Sequence, residues 1–212
     1  ATTHSLSADR ATNVGLYDPV SHKTFISFAG PLMHPNIITF DHNDKTFNEP
    51  IAVASAVPDF HNYPRMVMSN DGHLIIVYTD HPHSLYMAKS KNAHSADGVW
   101  ADRKINDDTA TYPCITKSST GDLYVFYRST KLDIATDYRP LHYIKSTDDG
   151  ESWSAPQTAI DTGYMSPNNL NEVYADCPRV EPARGHFPER FSMGWTMAGG
   201  KFRETSELAS HV

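Results

Sequence analysis

The chain has 212 residues, of which 39% are apolar, and it carries a formal net charge of −7. This length and composition predict a globular domain with a sizeable core and exclude a disordered or fibrous chain. The negative charge argues against a nucleic-acid partner, which normally meets a basic face. No apolar run approaches the roughly 18 residues that a membrane span needs, so we predict a soluble protein without a membrane partner.

The N-terminal residues Ala1 to His4 carry neither a basic start nor an apolar stretch. A signal peptide, if one existed, is therefore expected to have been removed. The first stretch with a β-hairpin pattern runs from Tyr17 to Phe28. In this stretch Lys23 to Phe28 is predicted to form the second strand of a hairpin.

Residues 63–78 and 112–127 repeat one pattern 49 residues apart, with Tyr-Pro, Gly and a closing Tyr in register. A third copy begins at Pro178 and runs to Trp195. Each copy reads as a short strand, a Gly-containing turn and a second apolar strand. No window shows sustained helical periodicity. A period near 50 residues is typical of four-stranded β-propeller blades, whereas a β-sandwich would not explain the recurring Tyr-Pro.

Ser146 to Trp153 match the Asp-box pattern S-x-D-x-G-x-(S/T)-W in full. In this motif the Asp bonds its own turn, the Gly adopts positive φ and the Trp packs under the hairpin. We therefore predict an all-β propeller of antiparallel blades. About four blades would form a single domain over residues 1–200, shortened or incomplete, followed by a polar tail over residues 201–212.

The start of each repeat and the end of its second strand are expected to lie at the same mouth of a propeller. This places His61, His81, Tyr112 and Arg128 in adjacent blades, within reach of one cleft. They form the densest group of titratable side chains that the pattern brings together.

Several segments, together with the Asp box, resemble the BNR-repeat propellers that include the ulvan lyases. These segments are residues 61–64, 71–74, 77–78, 111–113 and 123–128. The resemblance covers roughly residues 10–200. It implies that His61 and His81 match the catalytic histidines of those lyases. It also implies that Tyr112 matches the catalytic tyrosine and Arg128 the arginine that neutralises a uronate carboxylate. Further substrate contacts are predicted for Asn62, Tyr127 and Arg139.

The chemistry of β-elimination needs these residue types. An Arg that holds the uronate carboxylate stabilises the enolate-like charge, and a neutral His can take the adjacent proton. A Tyr hydroxyl can protonate the leaving oxygen. We therefore predict a secreted or periplasmic polysaccharide lyase whose substrate is a uronate-containing, ulvan-like polysaccharide, with or without sulfate groups. No cofactor is required for the reaction.

Two other functions stay open. A sialidase-like glycoside hydrolase would need an arginine triad and a Tyr nucleophile with a Glu partner. The chain offers only scattered arginines for this purpose, at positions 65, 139, 179 and 184. The third alternative is a non-catalytic carbohydrate-binding propeller.

Cys114 and Cys177 are too few for a disulfide scaffold. They could form one bridge, bind a metal or stay free. For a structural zinc site, Cys177 and His186 are the candidate ligands. A structural calcium site also stays open, with no ligands assigned to it. The sequence as a whole does not indicate an oligomeric state.

Overall fold

The structure is a computed structural model that describes residues 15–56, 59, 61, 63–80, 83–130, 138–161, 171–175, 177–181, 183, 189–193 and 195–198. These residues form strands and one short 3-10 turn, Pro31–Met33. The strands are β1 (Gly15–Asp18), β2 (Lys23–Ala29), β3 (Pro35–Asp41), β4 (Thr46–Phe47), β5 (Ile51–Ala52), β6 (Arg65–Met68), β7 (Leu74–Thr79), β8 (Leu85–Lys89), β9 (Ala101–Asn106), β10 (Ala110–Lys117), β11 (Leu123–Ser129), β12 (Tyr138–Arg139), β13 (Leu141–Ser146), β14 (Gln157–Ile160), β15 (Asn171–Ala175), β16 (Arg179–Glu181), β17 (Arg190–Ser192) and β18 (Trp195–Ala198).

Three antiparallel sheets follow one another along the chain, and we call them blades 1 to 3. Blade 1 has the order β1-β2-β3-β4, with β5 also on β3; blade 2 is β6-β7-β8-β9; blade 3 is β10-β11-β13-β14. The hairpin β16-β17 begins a fourth unit, beside a three-stranded sheet β12-β15-β18. Strand β10 packs beside β6 on one side and β16 on the other. The fold is thus a β-propeller of antiparallel blades, as predicted.

The core lies between successive blades, because the second strands of blades 2 and 3, β7 and β11, are buried on both faces. In β7, Ile75 and Val77 pack against blade 3, whereas Leu74 and Ile76 pack against blade 1. Strand β11 alternates in the same way, with one face toward blade 2 and the other toward β15 and β17. A strand that is buried on both faces has a nearly continuous run of apolar residues in its sequence. This explains the apolar second strand in each copy of the repeat.

The repeat is visible in the turns. Ser69 donates its backbone N–H to the carbonyl of His73 at 2.9 Å, and Ser118 donates to that of Asp122 at 2.8 Å. Glycines 72 and 121 occupy the same place in the two turns, with φ of 84° and 95°. A side chain is disfavoured at such angles, so the glycines of the repeat are required by the turn itself.

The Asp box closes the β13–β14 hairpin as predicted. Asp148 accepts hydrogen bonds from the hydroxyls of Ser146 and Ser152 at 2.7 and 2.5 Å, and Gly150 has φ of 85°. These bonds, first that from the Ser152 hydroxyl, lower the pKa of Asp148 from 3.8 to about 2. Trp153 packs against the core between blades 2 and 3. The motif therefore stabilises the blade and lies on a hairpin turn.

Cys114 on β10 forms a disulfide with Cys177, just before β16, with the two Cα atoms 5.3 Å apart. Of the three outcomes left open by the sequence, the structure shows the bridge. A sulfur in a disulfide offers no thiolate to a metal, so the candidate role of Cys177 as a metal ligand is wrong in this structure. Its predicted partner His186 lies outside the described residues, as does the predicted tail over residues 201–212.

Within the described part of the chain, no group of three or more His, Cys, Asp or Glu side chains is arranged to hold a metal ion. In the same residues no helix has the length and apolar character to cross a membrane.

Candidate functional site

The candidate site is built on a β-bulge in the first strand of blade 3. Thr111 pairs with Arg128 and Cys114 with Phe126, so two residues of β10, Tyr112 and Pro113, lie opposite a single residue of β11. Tyr112 has φ of 53°, which is uncommon for a residue other than glycine. A bulge bends its strand and changes the direction of a side chain, and Pro113 is tolerated there because ladder pairing is interrupted.

Arg128 lies at the end of β11 and is 2% exposed. Its guanidinium carbon is 4.7 Å from the centroid of the Tyr112 ring and 4.9 Å from that of the Tyr174 ring on β15. The two rings are themselves 5.8 Å apart. A guanidinium over aromatic rings is stabilised by cation–π attraction, more strongly when water is excluded. Two rings therefore fix the position of this buried cation.

His61 lies beside Tyr112, with the ring centroids 5.4 Å apart. Its Nδ1 is 2.6 Å from Oδ1 of Asp59, and the same oxygen accepts the backbone N–H of His61 at 2.7 Å. The imidazole is 22% exposed, so it is accessible to a ligand while being held by the carboxylate.

Tyr63, the repeat partner of Tyr112, stacks on it with the centroids 5.7 Å apart. A small cleft opens here between the first strands of neighbouring units. It is lined by Tyr63, Arg65, Tyr112, Pro113, Cys114, Ala175 and Cys177. The repeat thus places equivalent residues of blades 2 and 3 face to face, and the disulfide forms part of the cleft wall.

Tyr127 is not brought to this cleft. Adjacent residues of a strand face opposite sides of the sheet. Tyr127 therefore points into the core between blades 2 and 3, whereas Arg128 points toward Tyr174. Its hydroxyl donates to Asp108 at 3.3 Å, and burial, with the Asp108 charge, raises its pKa. Because Tyr127 faces the core between blades 2 and 3, on the side of β11 opposite to Arg128, its position argues against the substrate contact predicted for it.

The repeat partner of Tyr127 has the same arrangement. Tyr78 is buried and donates its hydroxyl to Asp102 at 2.6 Å. Burial, followed by the hydrogen bond to Asp102, raises the pKa of this phenol. The closing tyrosines of these two repeats are therefore core residues whose hydroxyls donate to carboxylates.

Of the other predicted site residues, Arg139 lies on β12, which pairs with β15, the strand that carries Tyr174. Its side chain is partly buried. His81 and Asn62 lie outside the described residues, so their predicted roles stay predictions.

Sequence reasoning missed two contributors. Tyr174 lies on β15, away from the repeat, and no local pattern connects it to Arg128. Asp59 could have been recognised, because an Asp two residues before a His can accept the backbone N–H of that His in an Asx turn.

The site combines a buried cation and an imidazole held by a carboxylate, and both lie against the phenol ring of Tyr112. These groups are suited to binding an anion and moving a proton beside it. Fold and site together define a β-propeller in which an imidazole, a phenol and a guanidinium are grouped where two blades meet.

The chain belongs to the BNR repeat-containing family, whose model matches residues 34–208. It is 24% identical to an ulvan lyase of Nonlabens ulvanivorans and 25% identical to one of Alteromonas sp. (strain LOR). These matches cover 80% and 63% of this chain but 44% and 31% of the two relatives. The chain therefore spans less than half the length of either protein.

Known structures show the same fold. An ulvan lyase bound to GlcA(1-4)Rha3S superposes with a TM-score of 0.74 at 16% identity, covering 96% of this chain and 50% of the other. An endo-arabinase from Bacteroides thetaiotaomicron gives 0.57 at 12% identity and covers 99% of this chain and 85% of its own. At these identities the likeness concerns architecture.

Proposed function

We propose that this chain carries the catalytic centre of a polysaccharide lyase that cleaves a uronate-containing, ulvan-like polysaccharide by β-elimination. The observation that carries the proposal is that His61 and Arg128 both lie against the ring of Tyr112, which lines the cleft. Two relatives named as ulvan lyases support the choice of substrate.

In the proposed reaction, Arg128 binds the carboxylate of a uronic acid. The negative charge that develops when the adjacent carbon loses its proton is delocalised onto that carboxylate, so a fixed guanidinium stabilises the transition state more than the ground state. The stacking of Tyr112 and Tyr174 on Arg128 supports this role because it limits the reorganisation of the cation during the reaction.

His61 is proposed as the base and Tyr112 as the acid. The imidazole takes the proton next to the carboxylate, a carbon–carbon double bond forms, and the glycosidic carbon–oxygen bond breaks. The phenol gives its proton to the leaving oxygen. His61 and Tyr112 are near enough to act on neighbouring atoms of one sugar, since their ring centroids are 5.4 Å apart.

The reaction balances with side chains alone, so we propose that it uses no cofactor. We also propose that the protein works outside the cytoplasm. The Cys114–Cys177 disulfide supports this location, because such bridges persist mainly in oxidising compartments.

Incubation with ulvan tests the proposal. β-Elimination creates an unsaturated uronate, so ultraviolet absorbance should rise together with new reducing ends. Hydrolysis would give reducing ends without absorbance, and a binding module would give neither but would be retarded in an ulvan affinity gel. Either of the last two results would overturn the lyase proposal.

Tyr112 and Tyr127 of blade 3 provide a matched pair for the site assignment. Tyr112→Phe should lower kcat by about 100-fold or more, because it removes the proposed acid. Tyr127→Phe should leave kcat unchanged, since its hydroxyl bonds Asp108 inside the core. Equal activity of Tyr112→Phe and the wild type would refute the role of Tyr112.

A further inference from the structure

Asp59 holds His61 through one carboxylate oxygen that accepts two bonds. Oδ1 of Asp59 accepts the backbone N–H of His61 at 2.7 Å and is 2.6 Å from Nδ1 of the same residue. Both side chains are about three-quarters buried. The backbone turn and the imidazole are therefore anchored to the same atom.

We propose that Asp59 is a positioning residue that keeps the proton of neutral His61 on Nδ1 and leaves Nε2 as the proton acceptor. The inference rests on the proposed function, because it specifies how the base of that reaction is prepared. It adds a residue that acts through His61 and does not itself touch substrate.

The argument follows from the donor and acceptor inventory. An ionised carboxylate can only accept hydrogen bonds, so Nδ1 must donate to Asp59. A neutral imidazole carries one proton, so Nε2 then holds a lone pair. The two nitrogens lie on opposite sides of the ring, so a ring anchored at Nδ1 presents Nε2 away from Asp59. The histidine is thus set as a base before substrate arrives.

The same spacing occurs elsewhere with a different outcome. Asp71 also lies two residues before a histidine, His73, but Nδ1 of His73 bonds the carbonyl of Ser90 at 2.8 Å. The nearest Asp71 oxygen is 3.8 Å from Nε2. This Asp–His pair lies at the β6–β7 turn. Asp71→Asn is therefore a matched control for substitutions at Asp59.

The test combines kinetics with NMR. Asp59→Ala should lower kcat on ulvan by about 10- to 100-fold with KM unchanged, the loss that is typical when the hydrogen-bond partner of a metal-binding histidine is removed. Asp59→Asn should recover part of the loss, because its amide oxygen can still accept both bonds. Asp71→Asn should match the wild type. A loss confined to KM, or an equal loss in Asp71→Asn, would overturn the assignment.

Nitrogen-15 spectra of labelled histidine, with His61→Gln to assign the signal, report the tautomer without turnover. The wild type should show neutral His61 protonated on Nδ1, and Asp59→Ala should shift it toward protonation on Nε2. An unchanged tautomer in Asp59→Ala would refute the inference even if ulvan is cleaved. If no polymer is cleaved but the tautomer shifts as expected, the lyase proposal fails and the Asp59–His61 pairing stands.

Discussion

Replacing both Cys114 and Cys177 by alanine should destabilise the chain and loosen the cleft. The disulfide joins β10 of blade 3 to the segment that precedes β16, so it crosses from one propeller unit to the next. Alanine is the suitable replacement because Cys114 is buried, and a serine hydroxyl there would add a desolvation cost of its own.

The size of the effect follows from the loop that the bridge closes. The two cysteines are 63 residues apart. In the chain-entropy model, a crosslink over a loop of this length stabilises the folded state by about 4 kcal/mol at 25 °C. Removing it should therefore lower the free energy of unfolding by a similar amount, a large fraction of the total stability of a typical domain.

Urea denaturation followed by tryptophan fluorescence measures this change. With a slope of about 2 kcal/mol per molar urea, the midpoint should fall by about 2 M. A reductant should shift the wild type by the same amount and leave the double variant unchanged. A loss below about 1 kcal/mol, or a reductant effect on both proteins, would refute the reasoning.

Two further predictions concern the blades. Leu123→Ala empties a fully buried site between blades 2 and 3 and should cost about 3 kcal/mol in the same urea assay, and a cost near zero would contradict the packing described. The lowered pKa of Asp148 means that its ionised carboxylate stabilises the folded state above pH 3.8, the pKa in the unfolded chain, and that this stabilisation is lost as the pH falls through the folded pKa of about 2. Asp148→Asn should remove this contribution. The variant should thus be less stable than the wild type at pH 7, with the difference disappearing below about pH 2 in acid titrations. A difference independent of pH would show that the Asp148 charge is not responsible.

The repeat predicted the fold well because its signals are local. Turn glycines, short apolar runs and the Asp box each specify one hairpin, and copies 49 residues apart must form equivalent hairpins. The stacking of Tyr63 on Tyr112 follows from that equivalence. The blade architecture could therefore be predicted from the sequence without knowledge of any long-range contact.

The site was only partly predictable because it depends on contacts between units. Nothing in the sequence near Tyr174 indicates that it contacts Arg128, and the spacing of the cysteines left their pairing open. Tyr127 is a different case. Strand alternation already separates it from Arg128, so its core position could have been inferred from the assignment of Arg128 alone.

The bulge at Tyr112 and Pro113 has a consequence for how this centre tolerates change. On its far side, Cys114 to Lys117 resume regular pairing with β11. Substitutions at Ile115 to Lys117 can therefore change the stability of the blade without rotating the phenol of Tyr112, whereas inserting or deleting one residue at the bulge would turn the ring away while leaving the sheet intact. The orientation of Tyr112 and the stability of the sheet thus depend on different parts of a single strand.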